Sequence, residues 1–183
     1  LYPMTFFRNL KLAHKLLASF VLVLMLSAIS GLYGLIQIDR VNNTATDLAH
    51  HWLPAARTLQ DMRYQLQRYR SQTMQHVMAN STQEMAVYDK SMPKLWGELL
   101  QNHQDYAQYA QSEQERALLA DIDKDFKLYA AQTVKVVELS HQLLNDEASE
   151  LLRGESLKIS RGINTKLETL TEINAKATEA TNQ

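Results

Sequence analysis

The sequence predicts an all-α protein in which four long helices form an up-down-up-down bundle, preceded by one transmembrane helix. Apolar residues make up 45% of the 183 residues, while there are only five glycines and three prolines. An uncharged stretch covers residues 16–36. Beyond it, apolar residues recur every three or four positions, as they do in helices that pack lengthwise on one another.

The composition argues against several classes of function. A net charge of −1 does not fit a general nucleic-acid binder. The absence of cysteine excludes disulfides, thiol nucleophiles and cysteine-ligated metals. None of the usual nucleotide-binding, hydrolase or zinc-protease motifs occurs, and the adjacent His50 and His51 supply too few ligands for a tight metal site. The sequence therefore predicts no enzyme, no cofactor, no metal and no nucleic-acid partner.

The first 36 residues predict a membrane anchor. Residues 1–15 form a basic leader, and residues 16–36 are long enough to cross a hydrocarbon layer of roughly 30 Å as a helix. The positive-inside rule then places the leader in the cytoplasm and residues 37–183 outside. A cleaved signal peptide and a buried core helix are the alternatives, although a signal peptide usually has a shorter apolar segment. Leu1-Tyr2-Pro3 is interpreted as a cloning remnant or upstream read-through, with Met4 as the natural start.

The first bundle helix is predicted from an unbroken stripe over residues 38–76. Its spacing alternates between three and four residues, and such a helix would be about 60 Å long. Pro54 predicts a kink rather than an end, because the periodicity continues past it. The stripe consists of Ile38, Val41, Ala45, Leu48, Trp52, Ala55, Leu59, Met62, Leu66, Tyr69, Thr73 and His76.

Three further helices follow from local signals. Ser81 with Glu84, and Ser112 with Glu115, have the S-x-x-E spacing that begins a helix. They predict helices over residues 82–110 and 113–152. Gly154 is the expected break, so the fourth helix would cover residues 155–183. The polar last residues end without a cap or a breaker, which indicates that a second membrane span follows.

Several short segments, in this order, carry a resemblance to a known family. They are the basic leader with Lys11-Leu12-Ala13-His14-Lys15-Leu16, the uncleaved apolar span, Val41-Asn42-Asn43, Leu53-Pro54 and the arginine-rich residues 62–72. The layout resembles the N-terminal sensory part of a methyl-accepting chemotaxis protein with a four-helix-bundle ligand-binding domain. In aspartate- and serine-type receptors of this family, arginines on the first helix hold the ligand carboxylates. Arg63 and Arg68 match two of those arginines, whereas the third position is Gln72 and Arg70 lies two residues early.

The candidate ligand site is centred on these three arginines, because a guanidinium donates two parallel hydrogen bonds to a carboxylate and stays charged. Alternatively, the arginines pair with acids on neighbouring helices and Tyr69 simply packs in the core. The polar residues Thr73 and His76 at the far end of the stripe predict a wetter, looser region, although a polar register-setting layer would have the same pattern. The full candidate set is Arg63, Tyr64, Arg68, Tyr69, Arg70, Gln72 and Thr73.

The expected function is that of a chemoreceptor in the bacterial inner membrane. Its periplasmic bundle would bind a small organic acid or amino acid and form a homodimer through the first bundle helix. Ligand binding would shift the first and last helices relative to each other. Two alternatives remain: the same bundle on a histidine kinase or cyclic-nucleotide signalling enzyme, and a membrane-anchored coiled coil that binds no ligand.

Overall fold

The computed structural model of the protein describes residues 11–181. The leader residues 1–10, with the predicted remnant at residues 1–3, lie outside the described residues, as do residues 182 and 183. Over the described range the chain consists of helices and short connections and contains no strand. It divides into two units, Leu1–Thr46 and Asp47–Gln183.

The first unit is built on the apolar helix α1, Leu12–Asp47. The uncharged stretch lies within this helix, whose most apolar window has a mean hydropathy of 2.2. None of that window is buried against the described residues, whereas a core helix of a soluble protein would be largely buried. By length and composition, α1 is able to cross a membrane.

The second unit contains the four helices of the bundle, and the predicted all-α four-helix architecture is confirmed. The last bundle helix combines two α-helical segments with a π-helical turn between them. In chain order the elements are a π-helical turn Leu48–Trp52, α2 Leu53–Met78, α3 Thr82–Tyr106, α4 Glu113–His141, α5 Asn145–Leu151, a π-helical turn Leu152–Ser156 and α6 Leu157–Thr181. Helix α2 packs along α3, and α4 packs along α6.

The stripe on α2 forms the centre of this bundle. Every stripe residue from Ala55 to His76 is buried, at the predicted spacing of three and four. The prediction was wrong for the start of the stripe, because Ile38 and Val41 lie on α1 and are exposed. The facing helices contribute Leu99, Phe126 and Leu167 to the same core. Removing this much apolar surface from water is the main favourable contribution to folding.

The turn before Pro54 contains the predicted irregularity. There the backbone N–H of Leu53 donates to the carbonyl of Leu48, five residues back. Proline has no N–H, and its ring collides with the carbonyl four residues earlier in a regular α-helix. The wider π-helical turn accommodates both effects, so the helix continues past the proline.

The serine-initiated starts of α3 and α4 are confirmed. The hydroxyl of Ser81 accepts a hydrogen bond from the Glu84 backbone N–H at 3.2 Å. At α4, Ser112 accepts from the Glu115 N–H, and the Glu115 carboxylate accepts from the Ser112 N–H at 2.8 Å. This reciprocal capping box satisfies donors that have no partner within the helix.

Glu115 is buried, and its carboxylate also accepts from the Gln111 N–H and the Tyr106 hydroxyl. Burial raises the pKa of the Glu115 carboxyl, but the hydrogen bonds from Ser112, Gln111 and Tyr106 together outweigh burial and lower the pKa below its ordinary value. The ionised carboxylate of Glu115 therefore connects the end of α3 to the start of α4 through hydrogen bonds.

The boundary between the last two helices was predicted wrongly. Helix α4 ends at His141 rather than near Leu152, and the last helix begins at Asn145. The end is a Schellman motif: Leu144 N–H donates to the Leu139 carbonyl, Leu143 N–H donates to the Ser140 carbonyl, and both N···O distances are 2.9 Å. Leu143 takes the left-handed conformation with φ 60°.

Glycine usually occupies this position, so a leucine gave no signal in the sequence. Gly154, the predicted break, has non-helical backbone angles, φ −88° and ψ −107°, and forms a kink between two helical segments. The break at Gly154 is therefore confirmed as a kink, and the turn between His141 and Asn145 is the boundary that the sequence did not predict.

Replacing Leu143 with glycine is expected to stabilise the bundle. The left-handed conformation costs a non-glycine residue roughly 1–2 kcal/mol, part of which glycine gives back as backbone entropy. Leu143 is 65% exposed, so little burial is lost. Thermal unfolding of Leu143→Gly should show a gain of about 0.5–1 kcal/mol. Leu128→Gly, on an exposed mid-helix position of α4, is the matched control and should lose about 1 kcal/mol.

Glu115→Gln is expected to destabilise the protein by about 1–2 kcal/mol at pH 7, because the buried donors lose a charged acceptor. A lowered folded-state pKa means that the folded protein binds fewer protons than the unfolded chain, so this stabilisation is present above the unfolded pKa of about 4.3. It is lost as the pH falls through the folded pKa. Denaturant unfolding at several pH values should therefore show the two proteins converging in acid, while Glu113→Gln in the same turn shows a much smaller effect.

Candidate functional site

The three predicted arginines do not converge on one point. The Arg63 Nη2 atom lies 2.8 Å from the Glu168 Oε1 atom of α6, with side chains 35% and 54% exposed. The Arg68 guanidinium lies 5.5 Å from the centre of the Tyr64 ring, and both residues are exposed. Arg63 thus has an acidic partner on a neighbouring helix, which is the alternative that the sequence left open for it.

The other candidates on α2 are engaged within the bundle. The Tyr69 ring is buried in an aromatic cluster, 4.9 Å from Trp96 between ring centroids. The Gln72 Oε1 atom accepts a hydrogen bond of 2.7 Å from the Ser91 hydroxyl. The Thr73 hydroxyl is buried and donates to the Tyr69 carbonyl. These contacts give Tyr69, Gln72 and Thr73 packing partners inside the bundle.

The polar residues at the far end of the stripe are buried in the bundle rather than solvated. Thr73 and His76 are both 0% exposed. His76 contacts the Ser140 hydroxyl of α4 and the Asp89 carboxylate of α3. The structure therefore favours the polar register-setting layer over the looser, solvated region that the sequence also allowed.

Arg70 differs from the other two arginines because it lines a groove. The groove has a volume of about 230 Å³ and lies between α2 and the last bundle helix. Arg153 lines it from the π-helical turn, and apolar side chains such as Met74, Val77 and Leu152 form its walls. Neither arginine forms an ion pair within residues 11–181. The groove thus offers two cations from different helices above an apolar surface.

The hydroxyl of Tyr129 gives a further polar feature near Arg70. It is buried and has no hydrogen-bond partner among the described residues. Burial raises the pKa of Tyr129, neighbouring Tyr69 raises it further, and the positive charge of Arg70 opposes both. The charge of Arg70 therefore acts on the interior of the bundle as well as on the groove.

Arg153 was not included in the predicted site. It belongs to the segment Arg153-Gly154-Glu155-Ser156, which does not match the amino-acid receptors of the family closely enough to assign a ligand contact. Only the observed last helix, which continues through residue 153, brings Arg153 to the same groove as Arg70.

A second pocket, of about 370 Å³, lies between α3 and α4. Its lining includes the aromatic residues Tyr69 and Trp96, and the carboxylates of Asp89 and Glu138. Two nearby negative charges disfavour an anionic ligand. Of these two pockets, the groove with Arg70 and Arg153 is therefore the better match for a carboxylate.

An apolar N-terminal helix followed by a four-helix bundle is the arrangement expected of a membrane-associated sensory bundle. The model of a protein family described as a four-helix-bundle sensory module for signal transduction matches residues 9–183. The chain belongs to this family, and the resemblance to the sensory part of a methyl-accepting chemotaxis protein is confirmed. The family module is sensory rather than catalytic. None of the curated proteins compared with the chain matches it.

The Arg63–Glu168 contact is expected to contribute little to stability. Pairs with this degree of exposure are screened by solvent and typically contribute about 0.2–1 kcal/mol. A double-mutant cycle with Arg63→Ala and Glu168→Ala, followed by chemical unfolding, should show a coupling energy in that range that shrinks at high salt. A coupling energy well above this range would mean that the pair is a structural requirement of the bundle, which would count against a role of Arg63 in ligand binding.

Proposed function

We propose that the protein is a transmembrane chemoreceptor whose periplasmic bundle binds a small carboxylate in the groove between α2 and the last bundle helix. Arg70 and Arg153 would each donate hydrogen bonds to the ligand. The single observation that carries this proposal is that two arginines from different helices, neither paired with an acid among the described residues, line the same groove.

The chemistry of the groove limits the ligand class. Two guanidinium groups favour an anion, and the planar guanidinium fork matches the geometry of a carboxylate. Met74, Val77 and Leu152 add an apolar surface that would contact a short hydrocarbon portion. A volume of about 230 Å³ is below the roughly 300–1,000 Å³ that is usual for ligand pockets, which suits a small organic acid better than a large one.

The position of the groove supports a signalling mechanism. Without an anion, the two positive charges repel each other across the groove, whereas a bound carboxylate attracts both. A ligand shifts an equilibrium only as far as it binds one state better than the other. Since one arginine belongs to α2 and the other to the last helix, binding would favour the state in which these helices approach. Helix displacements of roughly 1–2 Å are an established switching mode.

We expect this helix movement to take place at the π-helical turn Leu152–Ser156. Gly154 is outside the helical conformation there and directly follows Arg153. Irregular turns of this kind are frequent at functional sites in helices. A displacement of Arg153 would be carried along α6 towards the C-terminal end of this helix.

The remaining expectations belong to the same proposal. The bundle would form a homodimer through α2 in the bacterial inner membrane, with the leader in the cytoplasm. In such a dimer the exposed Arg68 and Tyr64 could take part in a ligand site shared by two subunits. A carboxylate site formed by Arg63, Arg68 and Arg70 is therefore the alternative to the groove. Binding measurements on arginine variants distinguish the two sites.

Titration of the full chain in detergent or nanodiscs with a panel of organic and amino acids tests the proposal. Arg70→Ala and Arg153→Ala should each weaken binding at least about tenfold, because each removes charge-assisted hydrogen bonds. Arg70→Lys should also weaken binding, since it keeps the charge but loses the planar fork. Arg57→Ala, at an exposed position on α2, is the control and should bind like the parent.

The outcomes separate the alternatives. Loss of binding in Arg63→Ala and Arg68→Ala, with normal binding in Arg153→Ala, would indicate that the carboxylate binds at the site shared by two subunits and not in the groove. If no acid binds and none raises the melting temperature, the ligand-free coiled coil is the better description. The full-length sequence of the natural protein decides the output: a second span and a long methylatable coiled coil indicate a chemoreceptor, and a catalytic domain indicates a signalling enzyme.

A further inference from the structure

A cluster of two histidines and one aspartate lies where α2, α3 and α4 meet. The Asp89 Oδ1 atom is 3.1 Å from His76 Nε2 and 3.2 Å from His141 Nε2. The three potential ligand atoms all lie within 4.8 Å of one another. The residues are far apart in the sequence, so only the packing of the three helices brings them together.

Ser140 determines which nitrogen of His76 carries a proton. The Ser140 hydroxyl lies 2.9 Å from His76 Nδ1 and 3.1 Å from the His76 backbone carbonyl. A carbonyl only accepts, so both contacts are hydrogen bonds only if the hydroxyl donates its hydrogen to the carbonyl. The hydroxyl oxygen must then accept from Nδ1–H. This assignment places the proton of a neutral His76 on Nδ1.

This tautomer of His76 produces an unusual contact at its other ring nitrogen, Nε2. A neutral His76 with its proton on Nδ1 directs the lone pair of Nε2 at the Asp89 carboxylate, so two acceptors face each other at 3.1 Å. Such a contact requires a positive species between the two atoms, which is either a proton or a metal ion. The His76 side chain is 0% exposed, so its Nε2 atom meets the carboxylate inside the protein.

We propose that His76, Asp89 and His141 bind a divalent transition-metal ion, with Zn²⁺ as its representative. With metal–ligand bonds of about 2.0–2.1 Å, tetrahedral geometry separates neighbouring ligand atoms by about 3.3–3.4 Å. The two observed N···O distances are close to this separation, and metal binding would bring the two ring nitrogens, which lie within 4.8 Å of each other, to the same spacing. This assignment departs from the sequence-based expectation that no metal is bound.

The ligand set indicates both the kind of ion and the kind of site. Two imidazoles and one carboxylate suit Zn²⁺ and its neighbours in the first transition series, whereas Mg²⁺ and Ca²⁺ prefer oxygen ligands. The side chains of Asp89 and His141 are 38% and 44% exposed, so the fourth position is open to solvent. An open site with three protein ligands exchanges its ion more readily than a closed four-ligand site.

Ser140 would act as a positioning residue for the ion. Metal-bound histidines usually donate their other ring N–H to a neighbouring acceptor, which holds the tautomer and the ring orientation. The buried Ser140 hydroxyl already makes that contact with His76 Nδ1. An ion bound here would join α2, α3 and α4 and would stabilise the folded state by mass action. This inference does not depend on the carboxylate groove, whose lining shares no ligand with the cluster.

Calorimetric titration of the full chain, purified without a histidine tag, with Zn²⁺ tests the proposal. The parent protein should bind one ion per chain and should melt at a higher temperature when Zn²⁺ is present. His141→Ala and Asp89→Asn, both at exposed positions that should not disturb folding, should weaken Zn²⁺ binding at least about tenfold. Ser140→Ala should weaken it about tenfold through the tautomer of His76.

Co²⁺ provides an independent readout, because its visible absorption reports nitrogen and oxygen ligation and should disappear when Zn²⁺ is added. His50→Ala is the matched control: it removes an exposed histidine outside the cluster and should leave the Zn²⁺ affinity unchanged. Equal Zn²⁺ affinity in the parent and His141→Ala, or no binding at micromolar Zn²⁺, would overturn the proposal. A proton would then occupy the contact, as an imidazolium–carboxylate pair.

Discussion

The burial of one apolar stripe on α2 is the constraint on which the bundle depends. From Ala55 to His76 every stripe position is removed from solvent, and α3, α4 and α6 each supply the side chains that cover it. A helix can bury such a stripe only when its neighbours run along it, so the topology follows from the need to cover this surface. The direction of every flanking side chain on α2 is then set by its angular distance from the stripe.

The burial of the stripe also determines which polar side chains on α2 can reach solvent or a ligand. Side chains on the stripe must satisfy their polar groups inside the protein, and His76 does so with Ser140 and Asp89 from two other helices. Side chains beside the stripe keep partial access to solvent. Arg63 and Arg70 occupy this flank seven residues apart, yet Arg63 pairs with Glu168 whereas Arg70 lines a groove that Arg153 also lines. Similar local positions on one helix therefore have different electrostatic surroundings.

The features that could be predicted from the sequence are those with a local cause. The serines at positions 81 and 112 begin helices through contacts with residues three positions later, and both starts are confirmed. The helix end at Leu143 has an equally local geometry, but the residue in the left-handed conformation is one that rarely adopts it. Gly154 marks the kink within the last bundle helix, whereas the missed end of α4 assigned Asn145–Leu151 to the wrong helix.

The sequence by itself determined the helical class, the apolar helix α1 and the face of α2 that is buried, because periodicity and composition act within single helices. Only the tertiary structure decided which side chains meet. Glu168 lies 105 positions from Arg63, and Ser140 lies 64 positions from His76. Contacts of this kind depend on the rotation and register of neighbouring helices, which packing of the whole core sets and which no local pattern records. The arginine-lined groove and the histidine–aspartate cluster are both consequences of that packing.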